Sequence, residues 1–211
     1  MNLILKHYTT TLEHAPQSGQ HILAQQTDEL LVVYQAYKPA IAKFAAANQV
    51  FGGSDYSFNR MSWIKPNFLW MMYRCGWAEK ENQERVLAIW IDKKYFERIL
   101  AQSAFSSFQP SRHKGYDQWR QELTETEVRL QWDPDHDPYG KKLERRAIQL
   151  GLKGNALTEL NDHIKFVEDI TPFVIEQKQL LDAGHLNKIL VPVEKVFRPS
   201  NEELNKKIGI E

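Results

Sequence analysis

One cysteine, Cys75, stands in 211 residues, which excludes an internal disulfide framework and any multi-cysteine zinc site. A lone thiol fits a reducing compartment, so the cytoplasm is the expected location. An excess of one charge is also lacking: 27 lysines and arginines stand against 27 aspartates and glutamates. No global field therefore draws the chain to nucleic acid or to an anionic membrane, and any phosphate-binding surface has to be local. No run approaches the roughly 18 apolar residues that span a bilayer, and the first twenty residues lack the apolar centre of a signal peptide. A soluble protein with no membrane partner is expected. There is no internal repeat, and neither G-x-G-x-x-G nor a P-loop follows a candidate strand. The seven histidines include no pair three or four residues apart, so no helix face presents two imidazoles to a metal, and no metal site is assigned.

What is present suffices for a packed core: 42% of the residues are hydrophobic and 11% aromatic. "HILAQQ", "ELLVVYQAY", "RVLAIWI", "TEVRLQWD" and "RAIQLGL" read as strands, rich in β-branched and aromatic residues. "PAIAKFAAANQ" opens on Pro39 and carries a helical apolar face, as do "KKYFERILAQSAF", "YDQWRQEL", "ALTELNDHI" and "PFVIEQKQLLDAG". Helices and strands interleave without the spacing of a doubly wound sheet, which predicts an α+β fold with a mixed or antiparallel sheet and flanking helices. A single domain is expected over residues 1–198, with 199–211 as a flexible C-terminal tail.

The densest chemistry lies in "SFNRMSWIKPNFLWMMYRCGW", residues 57–77. Lys65 precedes a proline and is biased towards extended backbone, with a helix expected from Pro66 to Arg74. The free N–H groups at such a helix start attract anions, and Lys65 is placed to add a charge there with its ammonium in water. Arg74 lies about 12 Å further along the axis at about 1.5 Å per residue, so it is expected to serve a different group of an extended ligand or the helix C-terminus. Arg60 and Lys65 are candidate phosphate ligands and Trp63 a stacking surface, whereas Phe68, Leu69, Met71 and Met72 read as core.

Two further segments contribute candidates. "VVYQAY" ends a strand with Tyr34, Gln35 and Tyr37, polar groups emerging where binding sites often form. "DPDHDPYGKKLE" places Asp133, Asp135, Asp137 and Glu144 at the spacing of a calcium loop, but Pro138 stands where a glycine is needed, so a turn is expected instead. Asp133 is retained as a group that orients Arg146 or acts as general base.

"VYQAYKPAIAKFA", "SFNRMSWIKPNFLWMMYRCGW", "ERVLAIWI", "LQWDPDHDP" and "RAIQLGL", in this order, resemble the bacterial and fungal family known as domain of unknown function 4291, over roughly residues 30–180. The resemblance implies a shared purpose for "WIKP" and the arginine of "MMYR", and no particular activity. A looser similarity, to small ADP-ribosyltransferase-like folds, implies NAD as ligand. The motif of those folds, an arginine or histidine, then a serine or tyrosine, then a glutamate on successive strands, has no clean copy here. Two functions of different class follow. The first is an enzyme acting on a nucleotide-like or phosphorylated ligand, with Gln35 or Asp133 at the reacting part and Tyr34, Tyr37, Arg60, Trp63, Lys65, Arg74 and Arg146 binding. The second is an RNA or single-stranded DNA module that uses the same cations and tryptophans without catalysis.

Overall fold

The structure, a computed structural model, describes residues 3–210. Its first half runs β1 (Leu5–His7), α1 (Tyr8–Thr11), β2 (Gly19–Gln20), β3 (Ile22–Ala24), β4 (Leu30–Tyr37), α2 (Pro39–Asn48), β5 (Ser62–Ile64), α3 (Phe68–Cys75), β6 (Arg85–Asp92), α4 (Lys93–Gln102) and β7 (Ala104–Phe105). The second runs α5 (Tyr116–Glu125), β8 (Val128–His136), β9 (Lys142–Leu152), α6 (Gly154–His163), β10 (Ile164–Asp169), α7 (Thr171–Asp182), β11 (Leu190–Pro192), β12 (Lys195–Phe197) and α8 (Glu202–Ile208).

"ELLVVYQAY" and "RVLAIWI" show no polar face because both strands are covered on both sides. β6 lies between β10 and β4 in a three-stranded antiparallel sheet. Alternation along each strand then feeds two cores. Leu31 and Val33 of β4, with Leu87, Ile89 and Ile91 of β6, enter one core, shared with α2, α4, α6 and the second sheet. Leu30, Val32, Tyr34, Val86, Ala88 and Trp90 enter the other, covered by α3 and α7. The second sheet is mixed: β8 and β5 pair antiparallel with β9, whereas β2 runs parallel to β9 and β7 parallel to β8. The fold is a single-domain α+β arrangement of mixed and antiparallel sheets with flanking helices.

The expected flexible tail is a correction. Asn201 caps α8 by accepting from the N–H groups of Glu203 and Leu204 (2.9 and 3.2 Å), and Leu204 and Ile208 enter the first core. Trp132 Nε1 donates to the Ile208 carbonyl at 2.8 Å. The polar composition of 199–211 hid an apolar pair four residues apart, enough to dock one face of a short helix. Glu211, the last residue of that expected tail, lies outside the described residues.

Candidate functional site

The site is built where the two sheets meet. "SWI" pairs with β9, placing Trp63 opposite Gly151, and the next residue, Lys65, bridges to β4: Tyr34 N–H donates to the Lys65 carbonyl at 2.7 Å and Lys65 N–H to the Tyr34 carbonyl at 3.2 Å. Proline at 66 keeps the chain extended to Asn67, whose Oδ1 caps α3 by accepting from Trp70 N–H at 2.7 Å. The helix thus begins at Phe68, two residues after the expected start at Pro66. The anion site expected at that start is filled from within. The Glu194 carboxylate accepts from Phe68 N–H (2.6 Å) and Asn67 Nδ2 (2.8 Å), and burial pushes its pKa well above the usual carboxylate range.

Lys65 lines a cleft of about 560 Å³ whose walls also include Gln35, Tyr37, Arg60, Trp63 and Arg74. Six sequence-derived candidates therefore share one cavity. At its floor, Gln35 Nε2 donates to Ser62 Oγ at 2.7 Å and Ser62 Oγ shares a hydrogen bond with the Tyr37 hydroxyl at 2.6 Å. The Gln35 carbonyl oxygen, buried, has no partner among the described residues. Tyr37 stays protonated because burial, with Tyr56 beside it, raises its pKa well above that of a free phenol. At the rim, Lys38 and Asp55 neutralise one another in an ion pair. Arg60 and Arg74 are exposed and, among the described residues, meet no carboxylate or other acceptor. The cleft therefore carries unbalanced positive charge in a molecule whose net charge is zero.

Lys65 departs from expectation. Its side chain is not in bulk water: the residue is only 6% exposed, and among the described residues its ammonium reaches a single acceptor, the Trp63 carbonyl, at a long 3.4 Å. Burial, followed by the Arg74 charge, pulls its pKa down to about 7, with Cys75 and Asp133 pulling weakly the other way. Arg74, expected further along the helix axis, lines the same cavity, and its charge acts on Lys65.

Three candidates stand apart from this cleft. Tyr34 points to the opposite face of β4, where it packs edge-on against Phe68 with centroids 5.5 Å apart and its hydroxyl raised in pKa by burial. Asp133 accepts from Gln131 Nε2 (2.7 Å) and Gln149 Nε2 (2.8 Å), so it does not orient Arg146. Arg146 sits on β9 opposite Pro134, away from the cleft walls. The acidic run is a strand and turn: Asp135 pairs with Arg145, and Asp137 Oδ1 accepts from the N–H groups of Tyr139 and Lys141. Among the described residues no three metal-ligating side chains come together.

Trp70 and Trp77 serve packing. Trp70 stacks with Tyr73 and His136, and Trp77 Nε1 donates to the Pro138 carbonyl at 3.2 Å. Two contributors escaped the sequence: Ser62, hub of the hydrogen bonds at the floor, and Gly151, whose missing side chain makes room for Trp63. A Cβ on Gly151 would lie 2.6 Å from Met61 Sδ and 3.0 Å from the Trp63 ring. In extended backbone Ser62 falls on the same side as Arg60, a local signal for the first; nothing local marked the second, because its partner is some ninety residues away in sequence.

A comparison with curated proteins finds no match. A family model described as "Domain of unknown function (DUF4291)" matches residues 21–197, which takes in β3 to β12 and every wall of the cleft. With most of its length matched, and with the "WIKP" and "MMYR" residues that first suggested the likeness meeting in one cavity, the chain belongs to the DUF4291 family.

Proposed function

We propose that the cleft binds a phosphorylated, nucleotide-like small molecule and that the protein is an enzyme acting on it. The observation that carries this reading is the convergence of Arg60, Lys65 and Arg74, three basic side chains without a carboxylate partner among the described residues, on one cavity that also presents an indole. Two exposed arginines and a buried lysine on one wall offer an anion charge-assisted hydrogen bonds. In this reading Arg60 and Arg74 hold phosphate, Trp63 stacks on a planar group, and the unpaired carbonyl of Gln35 accepts from the part of the ligand that reacts. NAD is the specific ligand to try first. Asp133 would act at most through the field it exerts on Lys65. A cytoplasmic setting agrees with the buried free thiol of Cys75. Among the described residues no helix is long and apolar enough to cross a membrane.

The test is calorimetric titration of NAD, ATP and a short RNA at two salt concentrations, on wild type and Arg74→Ala. A small ligand is expected to bind with a shallow salt slope and to lose about ten- to hundredfold in affinity in the variant. RNA binding with a steep slope, and neither nucleotide bound, would replace the small-molecule reading with the nucleic-acid module.

A further inference from the structure

We propose that Lys65 is an imine-forming lysine, whose Nζ captures the carbonyl carbon of a phosphorylated aldehyde held in the cleft by Arg60 and Arg74. The inference rests on the anion reading above and adds the reacting group. Its geometric basis is a lysine buried to 6% exposure at the wall of an open cavity, with no carboxylate among the described residues to hold its proton. The charged and titratable groups around it are Arg74 and Cys75 on α3, Asp133 on β8, Arg60 ahead of β5, Tyr37 on β4, and Tyr56 and the Lys38–Asp55 pair in the following loop and at the rim. Burial and the neighbouring arginine cation both favour the free amine, the way a lysine becomes a nucleophile near neutral pH.

The other chemistries a cleft can offer are poorly supplied. Its one carboxylate among the described residues, Asp55, is tied to Lys38, the Cys75 thiol is fully buried, and the Tyr37 phenol is held protonated. A neutral amine with two permanent cations beside it suits an electrophile that carries its own anion. In the step, the Nζ lone pair forms the C–N bond and the carbonyl π pair moves to oxygen. Two protons pass from nitrogen to that oxygen, which leaves as water, and the C=N bond closes. Nothing is oxidised or reduced, and no co-reactant is required.

The experiment incubates the wild-type protein with glyceraldehyde 3-phosphate, or with unphosphorylated glyceraldehyde, in the presence of cyanoborohydride, and locates the reduced adduct by intact mass and peptide mapping. One adduct at Lys65 is expected ahead of every exposed lysine, with a rate that rises with pH around a midpoint near 7. The phosphorylated aldehyde should react about tenfold faster or more, the worth of one charged hydrogen bond. Labelling spread over exposed lysines such as Lys80 and Lys114, with Lys65 unmodified, would overturn the proposal, as would equal rates for the two aldehydes. Glycerol 3-phosphate, which has no carbonyl, separates the two readings. Its binding to wild type and loss in Arg74→Ala, without any Lys65 adduct, would sink the imine and leave the anion site standing. No variant has to fold for the labelling result, because it is read on the natural chain.

Discussion

The two flanks of α3 handle charge in opposite ways. On the flank where the helix starts, a cavity of about 400 Å³ is lined by Tyr8, Phe68, Leu69, Arg145 and Glu194, and Arg145 and Glu194 both find partners within the chain. Arg145 meets Asp135 at 2.6 Å with both side chains at or below 7% exposure, and also donates to the Pro16 carbonyl. Glu194 takes the N–H groups of Asn67 and Phe68. On the flank where the helix ends, Arg60, Lys65 and Arg74 face a cavity of about 560 Å³ with no such partners among the described residues. Internally satisfied charge belongs to the fold, and charge left open is what a ligand can complete.

Breaking the satisfied flank should have the largest effect. Arg145→Ala leaves Asp135 buried without its cation, and should lower the unfolding free energy by about 3–5 kcal/mol in urea titration. An effect below about 1 kcal/mol would show that the pair is dispensable and blur the contrast.

On the open flank, removing a buried charge should do the reverse. The Lys65 pKa is about 7 when folded against 10.5 for the free side chain, so between those values the unfolded chain binds more protons than the native one. Wild-type stability should therefore rise as pH climbs from about 7 towards 10.5. Lys65→Met should be more stable at and below pH 7 by roughly 2–4 kcal/mol, at about 1.4 kcal/mol per pKa unit less what the site recovers by relaxing. The advantage should fade by the top of that range, and parallel stability curves for the two proteins would refute it.

A smaller loss, about 1 kcal/mol, is expected for Gly151→Ala, because the Met61 sulfur can swing aside while the Trp63 ring has to shift. Altered tryptophan fluorescence with weakened ligand binding would tie Gly151 to the site, whereas an unchanged spectrum would mean the ring never moved. The smallest change in stability, about 0.5 kcal/mol, is expected for Arg74→Ala, an exposed residue at a helix C-terminus. The same variant should raise the pH midpoint of Lys65 labelling, since the Arg74 charge helps to hold that lysine neutral. A midpoint that stays in place would separate the two cations after all.

Much of the cleft's lining was legible before folding was considered. Gln35 and Tyr37 share a strand face by alternation, and Arg60, Trp63, Lys65 and Arg74 fall within fifteen residues of one another. Tyr34 was misplaced by the same reasoning that found its neighbours: period two assigns faces, but which face meets the cleft depends on the sheet packed against it. Asp133 and Arg146 looked like partners from their types, yet register on β8 and β9 gave Asp133 to two glutamines.

Local chemistry alone therefore determined the α+β class, the extended approach to Pro66, the helix that follows it and the family signature, since dihedral preference, capping and periodicity act within a few residues. Only the tertiary structure decided that Glu194, from far along the chain, would occupy the start of α3, that Gly151 would make room for Trp63, and that Lys65 would be buried beside Arg74. The physical reason is that desolvation and Coulomb energy depend on what surrounds a group in space. A lysine reads the same in any sequence, and its charge state near neutral pH is set by the water it loses and the cation it is folded against.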